Sequence, residues 1–192
     1  RLEKGGARDY PVDSALARHF IEGLLDRDFD IAALAGLPKD QYEGHAFSFV
    51  HRTYLAERTI PVTPVFLNTF FPPNQPKPAR CLALGAALRE LIDGFPADAR
   101  VGLIASGGLS HFCVDDDLDH AVMKAMREKD YAFLTHLDPK LLQAGSSEIR
   151  NWLVLAGATS DFDLDWISYT PGYRTEALTG TGLAFGAWKP VG

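Results

Sequence analysis

The 192-residue chain is 46% hydrophobic and 23% charged, which is enough apolar material for one globular domain with its own core. Its formal net charge of -6 is spread without any Lys/Arg block, which argues against a nucleic-acid surface and against anchoring to anionic lipid. No run of about eighteen or more apolar residues occurs, and the charged opening RLEKGGARDYPVD has no signal-type stretch, so a soluble cytoplasmic protein with small-molecule or protein partners is expected.

In chain order, residues 12–25 (VDSALARHFIEGLL) place Ala15, Leu16, His19, Phe20 and Leu24 near one helical face, with Asp13 or Ser14 as the cap. The residues before it read as a linker entering that helix, and with no Met at the start they raise the expectation of a further segment upstream. Residues 29–34 (FDIAAL) read as a short strand. A Gly/Pro loop and EGHAFSFVHRTYL follow. Residues 60–68 (IPVTPVFLN) predict a strand with an edge or irregular start, because Pro61 and Pro64 each remove a backbone donor.

FFPPNQPKP is a loop suited to shaping a cleft, and residues 79–92 (ARCLALGAALRELI) are patterned as a helix. Residues 100–105 (RVGLIA) predict a buried strand ending in the glycine turn SGG, an arrangement that often carries function at a strand's carboxyl end. Residues 115–117, all Asp, cap a helix running through Met126, with further helical pieces at 131–134 and 139–142. Residues 146–156 (SSEIRNWLVLA) predict an amphipathic helix closed by Gly157, and residues 165–169 a strand. TGTGLAFGAW reads as a glycine loop entering a short apolar helix. The alternation predicts an α/β fold, a mixed central sheet flanked by helices in a single domain.

Cys81 and Cys113 fit neither a CxxC nor a CxxH arrangement, so both are expected to stay reduced as small buried hydrophobes. Of the six histidines, His111 gains most from context, since SGGLSHF sets an imidazole just after a strand and a glycine turn. Its plain alternative is a loop histidine bonded to Ser110 or a carbonyl. His45 follows Gly44 among Tyr42, Phe47 and Phe49, and His51 competes with it; His19, His120 and His136 sit in helical contexts that suit structural or solvent roles. Glu148 is either a first-turn glutamate favoured by the helix dipole or a carboxylate metal ligand. Asp115, Asp116 and Asp117 read as a solvated cap, the alternative being a divalent-ion site if other oxygens converge on them.

TGTGLAFGAW lacks a GK[ST] ending, which disfavours nucleotide binding. Ser106 and Ser110 lie near a histidine and hint at a hydrolase, but no GxSxG elbow is present.

Taken together, VGLIASGGLSHF, GHAFSFVHRTYL, IPVTPVFLNTFFPPNQP, SSEIRNWLVLAGA and YTPGYRTEALTGTGLAFGAW resemble, in order, segments of the class III (LigB-like) extradiol dioxygenases. The resemblance implies that residues 1–192 are the C-terminal major part of one LigB-like catalytic domain, without the N-terminal segment that carries two metal-binding histidines. It implies an Fe(II) enzyme that opens a catechol-type ring with O2, a homo-oligomer in aromatic catabolism whose substrate is a small aromatic diol. Residue by residue, His111 and His45 become acid/base histidines and Glu148 an iron ligand. Gly44 stands where the family has an acid, and Val50-His51-Arg52 occupies the following turn, so His51 is an alternative to His45.

A facial triad needs two histidines and one carboxylate, so this chain offers one ligand of three unless His45, His111 and Glu148 form the triad themselves. Arg52, Arg150 and Arg174 are candidates to meet a substrate carboxylate, each set against the commoner surface or helix-pairing role. The rival readings are a LigB-like binding or interaction protein without iron, and a serine hydrolase using Ser110 or Ser106.

Overall fold

The computed structural model describes residues 9–38 and 41–191, and the chain divides into two compact units, Arg1–Phe66 and Leu67–Gly192. The first eight residues of the linker-like opening lie outside the described residues.

In the first unit, helix α1 (Ser14–Leu25) begins where the sequence places it, because the Asp13 carboxylate accepts from Ala15 N at 3.1 Å and Leu16 N at 2.9 Å. Its Leu16, Phe20 and Leu24 are buried, the stripe that the spacing requires. Helix α2 (His45–Thr53) occupies the stretch that carries His45 and His51. The strand expected at 29–34 does not form, and residues 60–66 contribute only an isolated parallel bridge, Val62 to Val12. Prolines on both sides of Val62 leave too few donors to extend a ladder.

The second unit contains α3 (Pro78–Asp93), β1 (His111–Cys113), α4 (Asp116–Glu128), α5 (Tyr131–Thr135), a 3-10 turn (Ala144–Glu148), α6 (Ile149–Ala158), β2 (Phe162–Tyr173) and β3 (Thr179–Pro190). Proline opens α3 at its first turn, where a missing N–H costs nothing, and Asp115 caps α4 by accepting from Leu118 N at 3.0 Å. The strands form one antiparallel sheet in the order β1-β3-β2, so the fold is α/β, helices packed with a sheet. Leu109, Val122, Leu134, Leu142, Ile149 and Leu153 form the fully buried centre of the core. Helices α3 and α6 approach closely: a Cβ on Gly85 would lie 1.9 Å from the Val154 carbonyl oxygen, so only glycine fits there. Among the described residues no helix is long and apolar enough to cross a membrane.

Three further expectations, all in the second unit, need correction. TGTGLAFGAW is not a loop entering a helix but the body of β3. Its period of two is real yet inverted in size, since Gly180, Gly182 and Ala184 face inward while Leu183 and Phe185 face out. Residues 100–105 form no strand among the described residues, and Leu103 and Ile104 are exposed; β-propensity becomes a strand only when a ladder partner is present. Residues 139–142 turn without becoming a helix.

The cysteines differ from each other, for Cys81 is buried whereas Cys113 is exposed on β1. Burial pushes the Cys81 thiol up to about 12, so it carries almost no thiolate at neutral pH. A thiol reagent is therefore expected to modify Cys113 quickly and Cys81 only after denaturation. Equal labelling rates in the native protein would contradict that burial.

Candidate active site

The glycine bend that precedes His111 is held by Glu148, the N-cap of α6, and by the first turn of that helix. Residues 148, 151 and 152 recur at the spacing that puts side chains together on a helical face. Gly108 N donates to Glu148 Oε2 at 2.9 Å, Asn151 Nδ2 donates to the Ser106 carbonyl at 2.8 Å, and Trp152 Nε1 donates to the Gly107 carbonyl at 3.0 Å. Three polar atoms of two consecutive peptide groups, in a bend where Gly107 has φ +148°, thus find their partners on α6 and the turn before it.

His111 opens β1, paired with Thr181 of β3. Its backbone N–H donates to Ser146 Oγ at 3.1 Å, and its Nδ1–H donates to the Leu109 carbonyl at 3.0 Å. A carbonyl can only accept, so Nδ1 carries the proton and the neutral ring keeps its lone pair on Nε2. The ring lies against Gly145, where an added Cβ would stand 2.2 Å from His111 Cβ. Any larger residue at 145 would displace the imidazole.

His111 Nε2 and Glu148 Oε2 stand 3.6 Å apart, with the two side chains 22% and 29% exposed. That separation is too long for a good hydrogen bond and short enough for both atoms to meet one small guest. The structure therefore brings together two of the three site residues that the sequence singles out. His45, the third, opens α2 in the other unit and is exposed. His51 is buried instead: its Nδ1 meets the Glu43 carboxylate at 2.9 and 3.0 Å, and its ring stacks on Tyr10 at 3.8 Å. His120 and His136 each bond a helix carbonyl of their own turn through Nδ1, as structural histidines do.

Arg150 is not open to a substrate carboxylate. It is 1% exposed, and it donates from Nε to the Pro76 carbonyl at 2.8 Å and from one terminal nitrogen to the carbonyls of Leu142 at 2.6 Å and Thr69 at 3.4 Å. The guanidinium thus ties the proline-rich loop to the helix of Glu148. Arg150→Met, which keeps the length and removes the donors, is expected to cost about 3 kcal/mol of stability, read as a lower denaturation midpoint. An unchanged midpoint would show that water replaces the guanidinium at no cost.

Ser110 is fully buried; its hydroxyl donates to Asp119 Oδ2 at 2.7 Å and accepts from Asp115 N at 2.9 Å. A hydroxyl committed in this way cannot act as the nucleophile of a hydrolase. The aspartates are likewise more than a solvated cap. Hydrogen bonds from Tyr173 and Tyr169 hold the Asp116 carboxyl below its usual range.

Among the described residues no group of three or more His, Cys, Asp or Glu side chains stands ready to hold a metal ion. The carboxylate of Glu148 and the imidazole of His111 fall short of the two-histidine, one-carboxylate set by themselves, and fit only as part of such a site. Asn151 and Trp152, part of the SSEIRNW segment, are the site residues to which the sequence analysis assigns no role. The signal was their spacing from Glu148, which predicts one shared face.

A family model described as the catalytic LigB subunit of aromatic ring-opening dioxygenase matches residues 6–186. The chain belongs to this family. It is 39% identical over 100 residues, 52% of this chain and 30% of the relative, to a 2,3-dihydroxyphenylpropionate/2,3-dihydroxicinnamic acid 1,2-dioxygenase of Comamonas testosteroni. Over 155 residues, 81% of this chain and 45% of the relative, it is 36% identical to a protein of the same name from Mycobacterium ulcerans. It is 32% identical over 114 residues, 57% of this chain and 32% of the relative, to a gallate dioxygenase of Pseudomonas putida. The chain thus spans less than half the length of these curated relatives.

Proposed function

We propose that this chain is the part of an Fe(II)-dependent extradiol dioxygenase that carries the carboxylate ligand and an acid/base histidine. The observation that carries the reading is the meeting of His111 Nε2 and Glu148 Oε2 at 3.6 Å on a glycine bend. Family membership and the names of the relatives support the reaction class. Glu148 would hold the metal, and two further imidazole ligands would come from residues outside this chain. When bound, iron supplies the redox chemistry that lets O2 react with the ring.

The chain's own residues do the proton work. His111 presents a basic Nε2 because its Nδ1 proton is committed to Leu109, so it can accept a proton from a diol hydroxyl and return it when the ring opens. Imidazole suits both steps because its ordinary pKa lies near neutral pH. His45 is proposed as the second acid/base imidazole. Substrates are catechols, with the dihydroxyphenylpropionate and gallate types suggested by the relatives' names.

The test is O2 uptake by the intact protein, reconstituted anaerobically with Fe(II) and offered a panel of substituted catechols. Uptake equal to the ring-opened product formed is expected. The second reading is a LigB-like binding protein without iron. Intact protein that retains no iron and consumes no O2 with any catechol would establish that reading.

A further inference from the structure

Asp119 lies on α4 with its side chain fully buried, and the proposed reaction gives it no role. A buried carboxyl needs a partner for every lone pair and proton, so its contacts can be counted. Oδ1 accepts from Ser110 N at 2.9 Å, and Oδ2 accepts from Ser110 Oγ at 2.7 Å. Tyr169 OH stands 2.8 Å from Asp119 Oδ2 and also 2.8 Å from Asp116 Oδ1. A phenol has one proton and cannot donate to both, so one of the two carboxyls carries a proton of its own.

The surroundings select Asp119. It is removed from water and faces Asp115, whereas Asp116 also accepts from the Tyr173 hydroxyl and lies beside His120. Burial raises the Asp119 carboxyl above its usual range, in agreement with that choice.

The residue clamped by Asp119 is the immediate neighbour of His111. Ser110 also accepts through its carbonyl from Gly182 N at 2.7 Å, while Leu109 N donates to the Gly182 carbonyl at 2.9 Å. A Cβ on Gly182 would fall 1.9 Å from Asp119 Oδ2, so β3 is built to let this carboxyl reach the loop. On the other side of His111, Phe112 has φ +66°, a conformation that a bulky residue holds only when its surroundings impose it. The Leu109 carbonyl, which fixes the His111 tautomer, leads directly into the clamped residue.

We propose that Asp119 is a positioning residue for His111: a neutral, proton-bearing carboxyl that locks Ser110, and through it the strained loop that sets the tautomer and direction of the imidazole. The consequence for turnover rests on the ring-opening reading, while the effect on the imidazole does not.

The test uses Asp119→Ala, Asp119→Asn and Ser110→Ala in the intact protein, with two readouts. In iron-loaded protein, Asp119→Ala and Ser110→Ala are expected to lower kcat for the best catechol about 10- to 100-fold with KM within about threefold, the pattern of a misplaced catalytic group. Asp119→Asn resembles the neutral acid in shape and is expected to recover most of that loss. In metal-free protein, 15N spectra of the His111 ring are expected to show the Nδ1–H tautomer in the wild type and a mixture in the two alanine variants.

Folded Ser110→Ala with wild-type kcat and an unmixed tautomer would overturn the proposal, and it decides the matter if Asp119→Ala does not fold. Asp119→Asn as impaired as Asp119→Ala would overturn the neutral carboxyl. Wild-type protein that turns over no catechol would reject the ring-opening reading, leaving the tautomer spectra to judge Asp119 alone.

Discussion

Replacing Glu148 by alanine is expected to strip the intact protein of iron and to lower kcat/KM for its best catechol by on the order of a thousandfold or more. Two losses combine in that variant. The carboxylate disappears as a ligand, and the Gly108 N–H, which donates to Oε2 at 2.9 Å, loses its acceptor. Glu148→Gln separates them, because the amide carbonyl can still accept from Gly108 while the negative charge is gone. The glutamine variant is expected to melt within about 1 kcal/mol of wild type and yet fail to retain iron. Normal iron content in Glu148→Gln, measured by metal analysis, would remove Glu148 from the ligand set.

His111→Ala is the second large effect, expected to reduce kcat about 10²- to 10⁴-fold while iron content and KM change little. The geometry sets this pattern. With Nδ1 bonded to Leu109, only Nε2 can exchange protons with a substrate. Turnover that persists at the wild-type rate would reassign proton transfer to another group. A loss of iron in parallel with activity would make His111 a ligand, which is the alternative in which the imidazoles of this chain complete the triad.

The sequence was readable where structure is local. Helices α1, α3 and α4 appeared at nearly their observed bounds because capping residues and apolar spacing act within a turn or two. The meeting of His111 with Glu148 was also readable, though only through the resemblance of SGGLSH and the Glu-x-x-Asn-Trp helix to a family. Strand β3 was not, because its inward positions are glycine and alanine, so the hydrophobic period runs opposite to the burial. Residues 100–105 have strand composition without a ladder partner among the described residues, and pairing is a long-range property that composition does not contain.

Asp119 was hidden for a related reason. In a run of acidic residues it looks solvated, and its burial is decided by Ser110 on a preceding loop and by Tyr169, which arrives on a strand 50 residues later. The role of Arg150 was hidden in the same way, because its length lets it reach back 74 residues to the Pro76 carbonyl.

The most direct test is a double-mutant cycle in the iron-reconstituted intact protein, with kcat/KM measured for wild type, His111→Ala, Glu148→Gln and the double variant. Two groups that serve one reacting centre are expected to be strongly non-additive, the double variant losing little more than the worse single one. Losses that multiply in full, or a single variant at the wild-type rate, would contradict a shared site for His111 and Glu148.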